Sequence, residues 1–126
     1  MVFNGISMVF KLTDEQQYET IGRFWDEMSM RYGLENLMGL GYNWRNDEMS
    51  YAIGLKHGDI EGYNASVMLP DDGWINVKGE TNCLKALYDE IYQDGSLMYE
   101  IETFYENGMC KISYFRGAVK PVIEVP

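Results

Sequence analysis

Leu97-Met98-Tyr99-Glu100-Ile101-Glu102-Thr103-Phe104-Tyr105-Glu106-Asn107-Gly108-Met109-Cys110-Lys111-Ile112-Ser113-Tyr114-Phe115 is the stretch on which the reading of this chain turns. Asn107-Gly108 is the strongest two-residue hairpin signal, because both central positions of such a turn need positive φ. Before it, Tyr99, Ile101 and Thr103 alternate with Glu100, Glu102 and Phe104. After it, Cys110, Ile112 and Tyr114 recur with the same period of two, as strands require. An amphipathic helix is expected just upstream, over residues 82–94. Thr81 is its N-cap, Leu84, Leu87, Tyr88 and Ile91 share one face, and Gly95 ends it. An extended apolar segment, residues 65–77, comes before that helix.

The same order occupies the first half. Residues 2–12 are extended, a helix is expected over 14–32, and an aromatic hairpin follows over 38–57. Thr13 with Gln16 forms a capping box, and Asp14 and Glu15 suit the positive end of the helix dipole. Tyr18, Ile21, Trp25, Met28 and Tyr32 make one apolar stripe, and Gly33 is the stop. Asn46-Asp47-Glu48 turns the hairpin. Met38, Leu40, Tyr42 and Trp44 share a face of one arm, as do Tyr51, Ile53, Leu55 and His57 of the other. Gly39, Gly41, Ala52 and Gly54 are expected together on a near-bare opposite face, open to close approach. Pro70-Asp71-Asp72-Gly73 is a turn, since proline sets φ and glycine accepts a positive one. The tail 118–126 reads as irregular or an edge strand. The fold class that follows is α+β. One domain, 1–126, holds two strand–helix–strand–strand modules, about 2–57 and 64–116, with pseudo-twofold symmetry. Their antiparallel sheet carries two helices on one face, and an aromatic seam between modules suits a small apolar ligand.

Composition narrows the function. The 126 residues are 46% hydrophobic and 14% aromatic, enough for one real core and unlike a disordered chain. No stretch approaches the roughly 18 apolar residues of a membrane span. The start, MVFNGISMVFKL, lacks the basic lead and cleavage site of a signal peptide, so a cytoplasmic location is expected. Cys83 and Cys110 have no CxxC spacing and are expected as reduced core thiols. Ten Lys and Arg are scattered among twenty acids, for a net charge of −10. That argues against direct nucleic-acid binding, which clusters its cations. It also raises the local concentration of cationic small molecules, although charge alone implies no more than solubility.

Glu100 and Glu102 interrupt an apolar strand and share a face with Phe104. On a solvated face they would be ordinary. On a partly dry one, a carboxylate is a counter-charge for a cation or a general base. Trp25 belongs to the first helix's core stripe, while Trp44 and Trp74 sit near turns. Such rings stack planar ligands and hold cations by their π faces. His57 is the only histidine. No GxGxxG, GxxxxGK[ST] or GxSxG motif occurs, so no nucleotide, metal or other cofactor is expected.

Several strings, taken in order, carry a resemblance. They are Gly5-Ile6-Ser7, Leu40-Gly41-Tyr42, Tyr51-Ala52-Ile53-Gly54, Leu69-Pro70 leading into Asp72-Gly73-Trp74, Leu84-Lys85-Ala86-Leu87-Tyr88-Asp89-Glu90-Ile91-Tyr92, and Glu100-Ile101-Glu102-Thr103-Phe104. The chain resembles the GyrI-like small-molecule-binding domain, the effector-binding domain of gyrase-inhibitory proteins and of AraC- and MerR-type multidrug-responsive transcription regulators. The resemblance spans roughly residues 2–116, and the order of elements carries more of it than any single short motif. It implies the two-module fold and a cleft between modules that takes planar or cationic hydrophobic compounds. The family's late Glu-x-Tyr motif puts a carboxylate in that cleft. Glu102-Thr103-Phe104 matches it with phenylalanine for tyrosine, so Glu102 is the residue carried over, and a shift of two selects Glu100. Regulators of the family carry a DNA-binding domain ahead of this one, for which this chain has no room. Some stand-alone members resemble hydrolases of cyclopropane-bearing genotoxins.

The leading expectation is a stand-alone binder of hydrophobic molecules, cationic ones included. Glu102 is its polar anchor, Tyr51, Trp44, Trp74 and Phe104 are aromatic walls, and Trp25 contributes from the helix. The alternatives are a hydrolase in which Glu102 activates water, and an acidic protein-binding inhibitor module whose partner is a DNA-acting enzyme.

Overall fold

In the computed structural model, residues 1–13, 16–93, 97–105 and 107–116 are described, without the side chains of Gln17, Tyr18, Tyr92 and Gln93. Asp14, Glu15, Gly95 and the tail 118–126, singled out above, lie outside the described residues. The elements are β1 (Val2–Lys11), α1 (Gln17–Tyr32), β2 (Leu37–Arg45), β3 (Glu48–Leu55), β4 (Ala65–Met68), β5 (Ile75–Glu80), α2 (Leu84–Gln93), β6 (Tyr99–Phe104) and β7 (Met109–Phe115). Seven strands form one sheet in the order β4-β1-β3-β2-β6-β7-β5. Every described pairing is antiparallel. The expected α+β architecture is therefore present. Each half pairs its first strand with its last, giving β1-β3-β2 and β5-β7-β6, and the halves join at β2 against β6.

The expected extended segment 65–77 is two strands on opposite edges. β4 pairs with β1, and β5 pairs with β7. The turn between them carries the chain across the sheet. Gly73 takes φ +89°, and Trp74 donates its indole N–H to the Pro70 carbonyl at 2.8 Å. Leu69 donates its N–H to the Met1 carbonyl at 2.7 Å, tying the crossing segment to the N-terminus. Leu69 and Trp74 pack with Phe3, Met38, Leu40 and Ala52 on the face away from the helices.

α1 starts later than expected, with Gln16 as its N-cap. The Thr13 hydroxyl serves Asp47 instead, at 3.4 Å, because the end of β1 lies beside the β2–β3 turn. Phe24 joins Trp25 and Met28 on the buried stripe. Gly33, at φ +85°, ends the helix and donates its N–H to Ser29 O at 2.9 Å.

The first hairpin corrects the facing expected for its glycines. Its turn pairs Arg45 with Glu48, yet further along Tyr42 pairs with Ser50, so one extra residue sits in β2 between them. Asn43 takes φ +56° at this bulge. A one-residue slip reverses every facing. Gly39 and Gly41 therefore stand beside Ile53 and Tyr51, while Ala52 and Gly54 stand beside Leu40 and Met38. Neither face is bare, because each glycine of one strand adjoins a large residue of the other.

The second hairpin also turns differently from its Asn-Gly signal. Tyr105 pairs with Met109 through Tyr105 N–H to Met109 O at 2.9 Å, so the strands close at that pair and not on Asn107-Gly108 as a two-residue turn. Gly108 supplies the positive φ, +77°, and the Asn107 side-chain oxygen accepts the Met109 N–H at 3.2 Å. A left-handed glycine at the end of a short hairpin loop is a common solution.

Two glycines test this packing. A Cβ at Gly54 would lie 2.7 Å from the Asn4 carbonyl and 3.0 Å from the Phe3 ring, whereas one on Gly22 of α1 meets nothing within 4 Å. Gly54→Ala is expected to cost about 1–3 kcal/mol by overpacking, and Gly22→Ala to add about 0.5–1 kcal/mol by helix propensity. Urea unfolding at neutral pH measures both, and an unchanged midpoint for Gly54→Ala would contradict the β1–β3 register.

Candidate functional site

The alternation of β6 sends Glu100, Glu102 and Phe104 to the helix-bearing face. There the two acids meet the two glycines of β2, Gly41 opposite Glu100 and Gly39 opposite Glu102. Glu100 is 2% exposed and Glu102 6%, so this face is dry and not a solvated one. The missing side chains make the room. A Cβ on Gly41 would lie 2.9 Å from Glu100 Cγ and 3.2 Å from the edge of the Trp44 ring. A Cβ on Gly39 would collide with the Tyr51 hydroxyl and lie 2.6 Å from the Trp25 ring.

Around Glu102 the donors form a directed chain. Trp25 donates its indole N–H to the Tyr51 oxygen at 2.8 Å, and Tyr51 donates its O–H to Glu102 Oε1 at 2.7 Å. Phe104 stands edge-on to Trp25, ring centres 4.9 Å apart. Tyr88, from α2, is the second phenol that acts on the Glu102 carboxylate. Tyr51 comes from the first half of the chain and Tyr88 and Glu102 from the second, so the carboxylate is held at the junction of the two.

Burial pushes the Glu102 pKa up from its ordinary 4.5, and the hydrogen bond from Tyr51, with the nearby Tyr88 phenol, partly offsets that rise. Burial, with the Glu102 charge next, pushes both phenols well above their ordinary 10.0. They remain protonated at neutral pH. The arrangement thus encloses among aromatic rings a carboxyl whose charged form burial disfavours and a phenol hydrogen bond supports.

The structure brings Glu102, Tyr51, Phe104 and Trp25 together. Trp44 is half-buried beside them, between the packing of α1 and that of α2. Trp74 lies on the opposite face, against Tyr99 at 6.3 Å and Phe115 at 5.7 Å. Sequence reasoning placed Tyr88 only in a core stripe, and it took Gly39 and Gly41 as a bare face. Only the pairing register shows that these residues surround the acids. Cys110 is buried but Cys83 is exposed, so the latter is not the core thiol expected. Among the described residues no group of His, Cys, Asp or Glu could hold a metal ion. No described helix is long and apolar enough to cross a membrane.

No family model and no curated protein matches this chain. Among solved structures the chain is similar to that of SAV2435 bound to tetraphenylphosphonium, with a TM-score of 0.64. The identity is 13%, over 90% of this chain and 87% of that one. At that identity the likeness is one of fold.

The raised Glu102 pKa has a consequence for stability. A protonated Glu102 favours the folded state fully below pH 4.5, and that contribution is lost as pH rises through the folded pKa, since only the fold must then hold a dry charge. Glu102→Gln is expected to be at least as stable as the parent at pH 7, with the difference shrinking on acidification toward pH 4. Thermal melts across pH 4–8 measure this, and a variant much less stable than the parent at pH 7 would mean that the charge holds the fold together.

Proposed function

We propose that this chain is a small-molecule-binding protein of the GyrI-like kind that takes lipophilic cations at the Glu102 site. The observation that carries the reading is the Glu102 carboxylate, 6% exposed, held by the Tyr51 hydroxyl at 2.7 Å and enclosed by aromatic rings. Such a charge is costly to bury, and a cation within the aromatic shell offsets that cost. The fold shared with a protein whose structure holds tetraphenylphosphonium, a bulky monocation, supports the same ligand class. Glu102 is the anchor, Tyr51 and Tyr88 orient it, and Trp25 and Phe104 supply ring surface. Trp44 flanks the site, and Trp74 belongs to the packing of the far face.

Binding is preferred to hydrolysis because the fold is shared with a protein whose structure holds tetraphenylphosphonium as a ligand. Transcriptional regulation is not part of the proposal. Both described helices are occupied in packing on the sheet, and the fold likeness concerns a ligand complex alone. The cytoplasm is the proposed location.

The test is a titration of tryptophan fluorescence with tetraphenylphosphonium and with triphenylphosphine oxide, a neutral relative. Glu102→Gln should weaken the cation by about tenfold, or about 1.4 kcal/mol, the scale of a partly desolvated ion pair. The neutral compound should change less than twofold. Equal losses for both, or none, would remove Glu102 from the site.

A further inference from the structure

We propose that the outer edge of β5 is a docking surface for a second copy of this chain, the two β5 strands pairing antiparallel about a twofold axis at Gly79. β5 closes one end of the sheet, and among the described residues it pairs with β7 alone. Thr81 donates its N–H to the Gly108 carbonyl at 2.8 Å, so Thr81 and, with period two, Gly79 and Val77 turn their peptide groups toward β7. Asn76, Lys78 and Glu80 turn theirs outward, where no described strand receives them. Such an edge is a template for another strand. The other end of the sheet is better guarded. β4 has only four residues, and next to it the Asn64 side chain occupies both the N–H and the carbonyl of Ser7 in β1.

Charge selects the partner and the register. Lys78 and Glu80 are exposed, and they share the face away from the helices, since Gly79 between them faces Leu87 of α2. Lys78 stands directly across from Lys111 of β7. Like charges in that position are destabilising. Among the described residues neither Lys78 nor Glu80 has an ion-pair partner. An antiparallel copy centred on Gly79 sets Lys78 beside Glu80 of the partner subunit, and Glu80 beside Lys78 of the partner subunit. All four turn their peptide groups outward, so each pair can exchange two backbone hydrogen bonds. The neighbouring registers serve less well. Centring on Lys78 brings two lysines together, each already opposite a Lys111. Centring on Val77 sets Lys78 across from Asn76 and leaves Glu80 without a cation. Odd shifts set outward peptide groups against inward ones.

The axis falls where there is room for it. Gly79 has no side chain to obstruct a close pair, and Leu87 lies over it, 2.8 Å from where a Cβ would stand. α2 packs through Tyr88 and Ile91 on Ile112, one strand in from the edge, so the helix itself stands back from the axis. Leu87 is half-buried, and its counterpart across the axis would cover it further. A twofold contact is self-complementary and closes after one pairing. Each copy carries a net charge of −10, but at about 0.15 M salt that repulsion is screened beyond about 8 Å, a range longer than the contacts between paired strands.

The test is analytical ultracentrifugation of the full chain at about 0.15 M salt, from about 10 μM to 1 mM, the range for a small interface. A monomer–dimer equilibrium is expected. Lys78→Glu and Glu80→Lys should each weaken it by about tenfold or more, because each change acts at both ends of the axis. The double variant Lys78→Glu/Glu80→Lys should recover the parent's dissociation constant to within about threefold, as a charge swap across one contact does. An equal mixture of the two single variants should form a mixed dimer. All the changes are at exposed positions, and circular dichroism confirms that each variant is folded. In the parent, hydrogen exchange at the Lys78 and Glu80 amides should slow as concentration rises across the same range. Four results would each overturn the proposal. They are a monomer throughout, a dimer indifferent to either single change, a double variant no better than the singles, and Lys78 and Glu80 amides protected equally at every concentration. The last would mean that another segment of the same chain covers the edge.

Discussion

Two glutamates face two glycines across the β2–β6 seam, and the interior is arranged around that register. A side chain at either glycine would occupy the space that Tyr51, Trp25 and Glu100 now fill. With glycine there, a carboxylate can lie low against the sheet while a phenol from β3, one strand beyond β2, reaches it. The hydrogen bond from Tyr51 to Glu102 thus fastens one half to the other through a group that neither half could bury by itself. Its cost in desolvation is of the kind that charged groups bear only when well hydrogen-bonded.

Much of the fold was legible in the chain itself. The 3.6 period of both helices, the positive-φ stop at Gly33 and the duplicated order of elements all follow from local physics that tertiary packing did not override. The failures were also physical. The bulge at Asn43–Trp44 is one residue long, and period-two reasoning has no way to count it, so the faces of the first hairpin came out reversed. Segment 65–77 looked like one strand because β-propensity does not tell which edge a residue joins. Its Pro70–Gly73 turn, though recognised, marked a change of edge rather than a kink.

The site was legible in part, for a similar reason. Strand alternation put Glu100, Glu102 and Phe104 on one face, and the helix stripe put Trp25 toward the core. What lay beyond reach was the partner of each acid. Tyr51 and Tyr88 come from elements far apart in the chain, and only the order β3-β2-β6-β7 brings them to Glu102. Trp74 shows the converse. Its ring has the right chemistry for a wall, but the crossing segment delivers it to the opposite face.

The seam also bears on the order of folding. Each hairpin closes a short loop, one after Arg45 and the other after Tyr105, and hairpins form in about 1–10 μs. Leu40 and Ile101, which pair at the seam, are separated by most of the second half of the chain, so their meeting must bear a larger loop-closure entropy. Glu102 therefore keeps its water until the two hairpins dock, and it sheds that water in the same step that joins them. Dehydration of one carboxylate is thereby tied to a non-local step of assembly. Acid, by neutralising that carboxylate, removes the cost of drying its charge without altering any turn.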